Sequence, residues 1–337
     1  MHALARTAAS QARWWAGAGM AARWWAGLLL AVGVQAVGMP AMAANAEVAP
    51  LAMTQTAPGV WVHTGAVDDW QPRNGGDVAN LGFVVGSRCV AVIDTGGTPA
   101  LGQALRRAVA QATPLPVCWV INTHMHPDHV LGNAAFRDQG QADAPRFVGH
   151  ARLAASLAAR EPYYRQALQR EFGIGMPAAD IVPPSVPVEG RLTLDLGDRE
   201  LQLQAWPTAH TDNDLTVYDV RSRTLFLGDL LFVQHLPVVD GSLTGWLKVM
   251  DTLATLDVAL AVPGHGAAGT DWPGMLAPQR RYLQALRTDT RAAIRAGLPL
   301  SKAMTTVGLE AVGPWRLAET FHRRNVTAAY AELEWEE

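Results

Sequence analysis

The chain contains few cysteines, few lysines and no excess of positive charge. Of its 337 residues, only Cys89 and Cys118 are cysteines and only Lys248 and Lys302 are lysines, and the formal net charge is −3. Neither cysteine belongs to a C-x-x-C motif, the spacing typical of cysteine metal sites. A negative balance argues against a nucleic-acid partner, because proteins that bind nucleic acid need a basic face for the phosphates.

Charge is scarcest at the N-terminus, where three arginines are the only charged side chains before Glu47: Arg6, Arg13 and Arg23. An apolar run, Trp24–Gly38, and the small-residue stretch Pro40–Ala44 follow. This order is typical of a secretory signal peptide. We therefore predict a signal peptide over residues 1–44, a domain over residues 45–337 and a periplasmic location.

The alternative is an N-terminal segment that stays in place as a membrane anchor. The apolar run is short for a membrane span of about 20 residues, and no basic stop follows it. We therefore expect cleavage after Ala43 or Ala44 and no stable membrane anchor. Translation from Met20 would leave a more compact signal sequence. Removing residues 1–43 takes away three arginines and no acids, which moves the net charge from −3 to −6.

Both cysteines lie in apolar runs that we predict to be neighbouring strands. Export permits a disulfide. Bridges between adjacent buried strands are geometrically awkward, however. We therefore predict two separate buried thiols that act as small hydrophobic side chains.

The remaining chain shows two successive halves in which short β-rich runs are followed by helical patterns. The predicted strands are Gly59–His63, Asn80–Val85, Cys89–Ile93, Val117–Ile121 and Phe147–Val148 in the first half, and Arg191–Leu196, Glu200–Trp206, Leu215–Tyr218, Thr224–Leu227 and Ala259–Val262 in the second. Helices are predicted over Thr98–Ala112, Ala151–Phe172, Trp246–Leu256 and much of the chain from Pro278 onward, and Pro183–Pro187 is predicted to link the halves. The pattern indicates an α+β sandwich with two sheets inside and helices outside.

A dense group of metal-ligand residues follows the apolar strand Val117–Ile121. Within six residues the chain places His124, His126, Asp128 and His129. Imidazole nitrogen and carboxylate oxygen are ligands that Zn²⁺ prefers. A polar loop that happens to be rich in histidine is the alternative, but surface histidines rarely cluster so densely.

Three further ligand candidates follow predicted strands of the second half. They are His210, Asp229 and His265. Glycines beside Asp229 and His265 let the backbone turn sharply and approach a ligand closely. Each residue alone is more often a hydrogen-bonded surface group or a turn. Together, four strand-end loops that supply five histidines and two aspartates favour a two-metal site.

The order of these motifs resembles the metallo-β-lactamase superfamily, roughly from Gly59 to His265. The segment Asp94-Thr95-Gly96 is similar to the first motif, and the His124–His129 group followed by Gly132 is similar to the second. His210, Asp229 and His265 match the third, fourth and fifth motifs. The resemblance implies a four-layer αβ/βα sandwich with C-terminal helices.

The resemblance also implies roles for the ligand candidates. His124, His126 and His210 would bind one zinc, and Asp128, His129 and His265 a second. Asp229 would bridge the two ions, and Asp94 would orient the metal loop from outside the ligand set. A hydroxide shared by two zinc ions would attack an ester, lactone or amide carbonyl. The catalytic candidate is Asp128: this residue, or a metal-bound water, would relay a proton to the leaving group.

Three segments resemble a particular branch, the quinoprotein relay system zinc metallohydrolases: Asn122–Asn133, His210–Asp214 and His322–Val326. This resemblance implies a small-molecule substrate and an accessory role in a periplasmic dehydrogenase system that depends on pyrroloquinoline quinone (PQQ). His235 and His322 are further pocket candidates, although an ordinary hydrogen-bonded histidine is the simpler interpretation of each.

Two other functions fit the same residues. One is a periplasmic carrier that binds a quinone cofactor without turnover, because metal ligands alone do not prove catalysis. The other is a mononuclear iron dioxygenase that acts on sulfur compounds, because two histidines and one carboxylate can hold iron. A β-lactamase is disfavoured, since relatives with that activity usually carry cysteine where Asp229 stands.

Overall fold

The computed structural model describes residues 48–137 and 144–336. The predicted signal peptide, residues 1–44, lies outside the described residues and stays a prediction. Within the described ranges, no helix is both long and apolar enough to cross a membrane.

Two β-sheets form the centre of the described part of the chain. The first sheet contains, in spatial order, β1 (Thr54–Ala57), β2 (Val60–His63), β3 (Leu81–Val85), β4 (Val90–Ile93), β5 (Val117–Ile121), β6 (Arg146–His150) and β7 (Val186–Val188). The second sheet contains β8 (Arg191–Asp195), β9 (Glu200–Ala205), β10 (Leu215–Asp219), β11 (Thr224–Phe232) and β12 (Leu260–His265), also in spatial order. Strands pair antiparallel from β1 to β4 and from β8 to β11, and the other pairs are parallel.

Helices cover the outer faces of both sheets. They are α1 (Pro99–Ala112), α2 (Pro127–Val130), α3 (Leu153–Ala167), α4 (Leu243–Leu253), α5 (Leu276–Arg295), α6 (Leu300–Ala303), α7 (Leu309–Val312) and α8 (Ala318–Leu333). A π-helical segment, Leu168–Phe172, continues α3, and short 3-10 turns occur at Pro72–Asn74, Asn133–Phe136 and Ala178–Asp180.

The alternation of side chains along single strands shows how the layers stack. In β4, Val90 and Val92 pack on the outer side against Leu105 of α1, whereas Ala91 and Ile93 face the core between the sheets. In β11, Leu225 and Leu227 pack outward against Trp246 of α4, and Phe226 joins the inner core. Both faces of these two strands are therefore buried. This arrangement confirms the predicted α+β four-layer sandwich with C-terminal helices.

The prediction of two free thiols is wrong, because Cys89 and Cys118 form a disulfide with their Cα atoms 5.8 Å apart. The β4–β5 ladder is irregular at this point: Val90 pairs with Val117, but Ala91 pairs with Trp119. Cys118 is thus an extra residue in its strand. A bulge of this kind re-aims the side chain, which removes the geometric objection to a bridge between adjacent strands.

The predicted link between the halves, Pro183–Pro187, includes part of a strand. Val186–Val188 pairs parallel with β6 and forms the edge of the first sheet. Proline is tolerated on an edge strand because the missing N–H faces no partner strand. The three prolines of this segment favoured a linker over a strand in the sequence analysis. A strand is nevertheless possible here because it lies at the edge of the sheet.

A buried ion pair joins the two sheets at the end that carries the loops before β4 and β9. The Arg199 guanidinium donates to both carboxylate oxygens of Asp219, at 2.7 and 2.6 Å, and also to the carbonyls of Pro58 and Val85. Side-chain exposure is 2% for Arg199 and 0% for Asp219. Burial opposes charge on Asp219, but Arg199 and Ser222 outweigh it and lower the pKa of this carboxyl.

We expect Asp219→Asn to destabilise the fold by about 3–5 kcal/mol, because the variant leaves a buried guanidinium without its counter-charge. Since the folded pKa of Asp219 is depressed, the stabilisation should be present at neutral pH and lost on acidification below about pH 4. Denaturant unfolding at several pH values measures both effects. Arg221→Ala is the matched control: it breaks the exposed pair with Asp198 and should cost no more than about 1 kcal/mol. Equal losses in the two variants would contradict this account.

We also expect the unfolded, unreduced protein to show no free thiol, and two after reduction, because the chain has only the two bridged cysteines. The measurement is titration with a chromogenic thiol reagent in denaturant. The bridge should contribute about 3–4 kcal/mol, as expected for a closed loop of this size. A pair of thiols before reduction would show that the bridge does not form.

Candidate metal centre

Four segments meet at one edge of the sandwich. The loop after β5 carries His124 and His126, and Pro127 then begins α2, which places Asp128 and His129 in its first turn. Proline suits this first helical position because its missing N–H would have no helical partner there. The loop after β9, the middle of β11 and the end of β12 supply the other ligand candidates.

One group contains three of the predicted histidines. His126 Nδ1 lies 3.0 Å from His124 Nε2 and 3.0 Å from His210 Nε2. With Asp229, these side chains form a group whose potential ligand atoms all lie within 4.8 Å of one another. Three imidazole nitrogens that face one point form a site of the kind that holds zinc and keeps a position for water.

The second group contains Asp128, His129 and His265. Asp128 Oδ2 lies 3.5 Å from His129 Nε2 and 3.3 Å from His265 Nε2. The structure therefore separates the predicted ligands into the two sets that the family resemblance implied.

Asp229 lies between the two groups and divides its oxygens between them. Oδ1 is 3.2 Å from His129 Nε2 and 3.3 Å from His265 Nε2, whereas Oδ2 is 3.3 Å from His210 Nε2 and 3.7 Å from His124 Nε2. The sequence suggested that Asp229 follows its strand. This prediction is wrong, because β11 continues to Phe232 and Asp229 lies inside it. The ladder is irregular on both sides of Gly228, and this irregularity lets a carboxylate inside a strand face the site.

Two glycines permit this close packing. Gly228 has φ of +51°, and a Cβ there would lie 2.6 Å from Thr123 of the metal loop. A Cβ on Gly264 would overlap Oδ1 of Asp229. The backbone beside Asp229 and His265 therefore approaches the ligand groups more closely than any other residue type allows.

Most of the imidazoles are oriented by a hydrogen bond from the ring nitrogen that faces away from the ligand groups. Nδ1 of His210 donates to the Val238 carbonyl at 2.7 Å, and Nδ1 of His265 donates to the Val78 carbonyl at 2.9 Å. Nδ1 of His129 lies 2.8 Å from Oδ2 of Asp94. Each bond assigns the tautomer and leaves Nε2 free toward the ligand groups, as is usual for metal-binding histidines.

Asp94 lies directly beneath the metal loop. Its Oδ1 accepts from the Thr123 N–H and its Oδ2 from the Thr123 hydroxyl, both at 2.8 Å. Asp94 is a non-glycine residue with φ of +55°, an uncommon backbone conformation. One buried carboxylate thus holds both the start of the loop and the ring of His129.

Sequence reasoning missed Asp240. Its Oδ2 lies 3.0 Å from Nε2 of His126, so it orients the one histidine of the first group that offers Nδ1 to the site. Asp240 precedes a glycine in a loop of ordinary composition, and no sequence signal separates it from a turn residue. Asn325 of α8 holds this loop by accepting from the Val239 N–H and donating to the Pro237 carbonyl.

The two additional pocket candidates differ in position. The ring of His235 lies 5.0 Å from that of His265, between it and Phe321, so His235 lines the site. His322 does not reach the site. Its two nitrogens contact the Tyr282 hydroxyl and the Val307 carbonyl, which places it in the packing of α8 against α5.

Burial and opposite charges act against each other throughout the centre. Burial lowers the pKa of His210 to about 3 and that of His124 well below its usual value. Burial also opposes charge on His265, but Asp229 and Asp128 outweigh it and raise the pKa to about 10. The pKa of the Asp229 carboxyl lies well below its ordinary range, because His265 and His129 outweigh the effect of burial.

The residues present fit a pair of metal ions. His129 Nε2 and Asp229 Oδ1 are buried without a hydrogen-bond partner among the described residues. Buried polar atoms almost always have a partner, so the positions of these two suit metal ligands. Five imidazoles and two carboxylates are also the donor set that zinc prefers, although iron and manganese accept the same atoms.

Comparison with known proteins identifies the class. The family model described as the metallo-β-lactamase superfamily matches residues 74–265, and the chain belongs to this superfamily. Its members are generally metal-dependent hydrolases. No curated protein sequence matches the chain.

Solved structures share the fold at low sequence identity. A sec-alkylsulfatase from Pseudomonas sp., Pisa1, is 17% identical with a TM-score of 0.63, covering 84% of this chain and 50% of its own. The chain thus spans about half the length of that enzyme. A metallo-β-lactamase from Pontibacter korlensis is 22% identical with a TM-score of 0.55, covering 69% of this chain and 99% of its own.

We expect Asp94→Ala to weaken metal binding by about 10- to 100-fold, because it removes the acceptor that orients His129 and Thr123. Competition with a chromophoric zinc chelator measures the affinity, and circular dichroism verifies the fold. Asp257→Ala is the control, since Asp257 is an exposed residue paired with Arg223. A folded Asp94→Ala protein with unchanged zinc affinity would contradict the orienting role.

Proposed function

We propose that the chain is an exported dinuclear zinc hydrolase that cleaves an ester, lactone or amide bond of a small molecule. The supporting observation is the position of Asp229, whose two oxygens face two separate groups of ligand atoms. Metal ions held there would supply a water of lowered pKa and an electrophile for the carbonyl oxygen.

The chain's own residues perform the remaining tasks. His124, His126 and His210 would hold one ion, His129, His265 and Asp128 the other, and Asp229 both. Oδ2 of Asp128 faces His129 and His265, which leaves Oδ1 to carry a proton to the leaving group. These two histidines outweigh the effect of burial and keep the pKa of Asp128 well below its usual value, so the carboxylate is ionised at neutral pH.

Export and the biological setting are part of the proposal. The Cys89–Cys118 disulfide supports an oxidising compartment such as the periplasm, since such bridges are rare in the cytosol. An accessory role beside a PQQ-dependent dehydrogenase rests on the resemblance of the metal loop, the His210 segment and the His322 segment to the quinoprotein relay branch.

The first test is the metal content of protein purified from the periplasm without added metal, measured by plasma mass spectrometry. We expect about two zinc ions per chain. One iron per chain would instead support a dioxygenase, and folded metal-free protein would support a carrier that binds a quinone.

We further expect His124→Ala and Asp229→Ala to lower the hydrolysis of a generic aryl ester or lactone to the level of metal-stripped protein. Each variant removes a ligand of the first group, and Asp229→Ala also removes the bridge. Initial rates with and without a chelator measure the loss, and Asp257→Asn should retain the full rate. Undiminished, chelator-sensitive hydrolysis in both ligand variants would exclude this site as the source of activity.

A further inference from the structure

Two arginines from separate helices meet at the metal centre through one carboxylate. Arg160 of α3 donates from Nη2 to Asp240 Oδ2 at 3.3 Å, and Arg324 of α8 donates from Nη2 to Oδ1 at 3.1 Å. The same Oδ2 accepts from His126 at 3.0 Å. We call His126, Arg160, Asp240 and Arg324 the Asp240 cluster.

The Asp240 cluster lies at a partly exposed side of the metal centre. The side chains of His126 and Asp240 are 16% and 17% exposed, whereas those of His124, His129 and His210 are at most 1% exposed. Asp240 thus contacts the ligand group directly, through the ring of His126. A small molecule that reaches the metal centre over His126 therefore passes beside both guanidinium groups.

The charge of the cluster exceeds what Asp240 requires. One guanidinium would neutralise this carboxylate, yet two are present, so the cluster carries one surplus positive charge next to the site. Each arginine uses a single nitrogen toward Asp240, and its side chain stays exposed, at 41% for Arg160 and 50% for Arg324. Most of the N–H groups of both side chains therefore remain available to a ligand.

We propose that Arg160 and Arg324 bind an oxyanionic group, such as a terminal carboxylate, on the substrate whose scissile bond lies at the metals. The inference rests on the proposed function and narrows its substrate class to acidic small molecules. Guanidinium groups recognise carboxylates through paired N–H donors, and Asp240 holds both of them in place before the ligand arrives. Asp240 thus acts as a positioning residue for the arginines and for His126.

The test compares two ligands of equal chain length, adipate and hexanoate, by calorimetric titration of the metal-loaded full chain. Both carry one carboxylate that can reach the metals, and only adipate carries a second for the arginines. We expect the wild-type protein to bind adipate at least 10-fold more tightly than hexanoate. The preference should fall to about 2-fold or less in the Arg160→Gln/Arg324→Gln double variant.

Arg323→Gln is the matched control, because this exposed arginine lies next to Arg324 on α8 and belongs to no part of the site. It should keep the adipate preference of the wild-type protein. Metal content is measured in every variant, so that a loss of metal through His126 is separated from a loss of anion binding. Equal wild-type affinities, or a preference that survives in the metal-loaded double variant, would overturn the inference.

Hydrolysis of two matched esters tests the anion subsite and the proposed hydrolase activity separately. The esters are 4-nitrophenyl hexanoate and the mono-4-nitrophenyl ester of adipic acid. In the double variant we expect kcat/KM for the acidic ester to fall at least 10-fold relative to the neutral one, mainly through KM. A wild-type protein that prefers adipate in calorimetry but cleaves neither ester would contradict ester hydrolysis and still support the anion subsite.

Discussion

The structure of the site depends on one buried carboxylate, Asp229, placed between two groups of imidazoles. An isolated buried carboxylate is very costly, and so is a set of nitrogen lone pairs that face one another. The imidazoles reduce the cost of burying the carboxylate, and the carboxylate reduces the cost of bringing the imidazoles together. The arrangement of both also suits two cations. The strand that carries Asp229 is the longest of the second sheet and is buried along its whole length. The position of this carboxylate is therefore determined by the core and not by a mobile loop.

The seven ligand candidates lie together in the structure, and the sequence singles them out because most of them follow a strand or stand beside a glycine. His124, for example, follows a clear apolar strand, and His265 follows the dipeptide Pro263-Gly264. The two-sheet architecture was predictable from the same alternation of strands and helices. The exact limit of β11 was not, since it depends on a ladder irregularity at Gly228 that only the neighbouring strand reveals.

What could not be predicted depends on contacts between distant segments. Asp240 orients His126 across 114 positions of sequence, and nothing near Asp240 distinguishes it from a turn residue. Helix α8 holds the Asp240 loop and the start of α4: Asn325 binds the loop, and Glu332 accepts from the Leu243 and Thr244 N–H groups of α4. The C-terminal helix is thus a support of the site as well as a cover for the sheet.

The disulfide has a consequence for the metal loop, although it lies at the opposite end of the same strand. Cys118 is the second residue of β5, and His124 follows three residues after Ile121, where β5 ends. A covalent bond to Cys89, the residue before β4, prevents β5 from sliding along its neighbour. A slip by one residue would reverse the facing of every side chain in the strand and move the histidines with it. The disulfide therefore fixes the pairing register of β5 on β4, and with it the position of the loop that begins after β5 and carries His124.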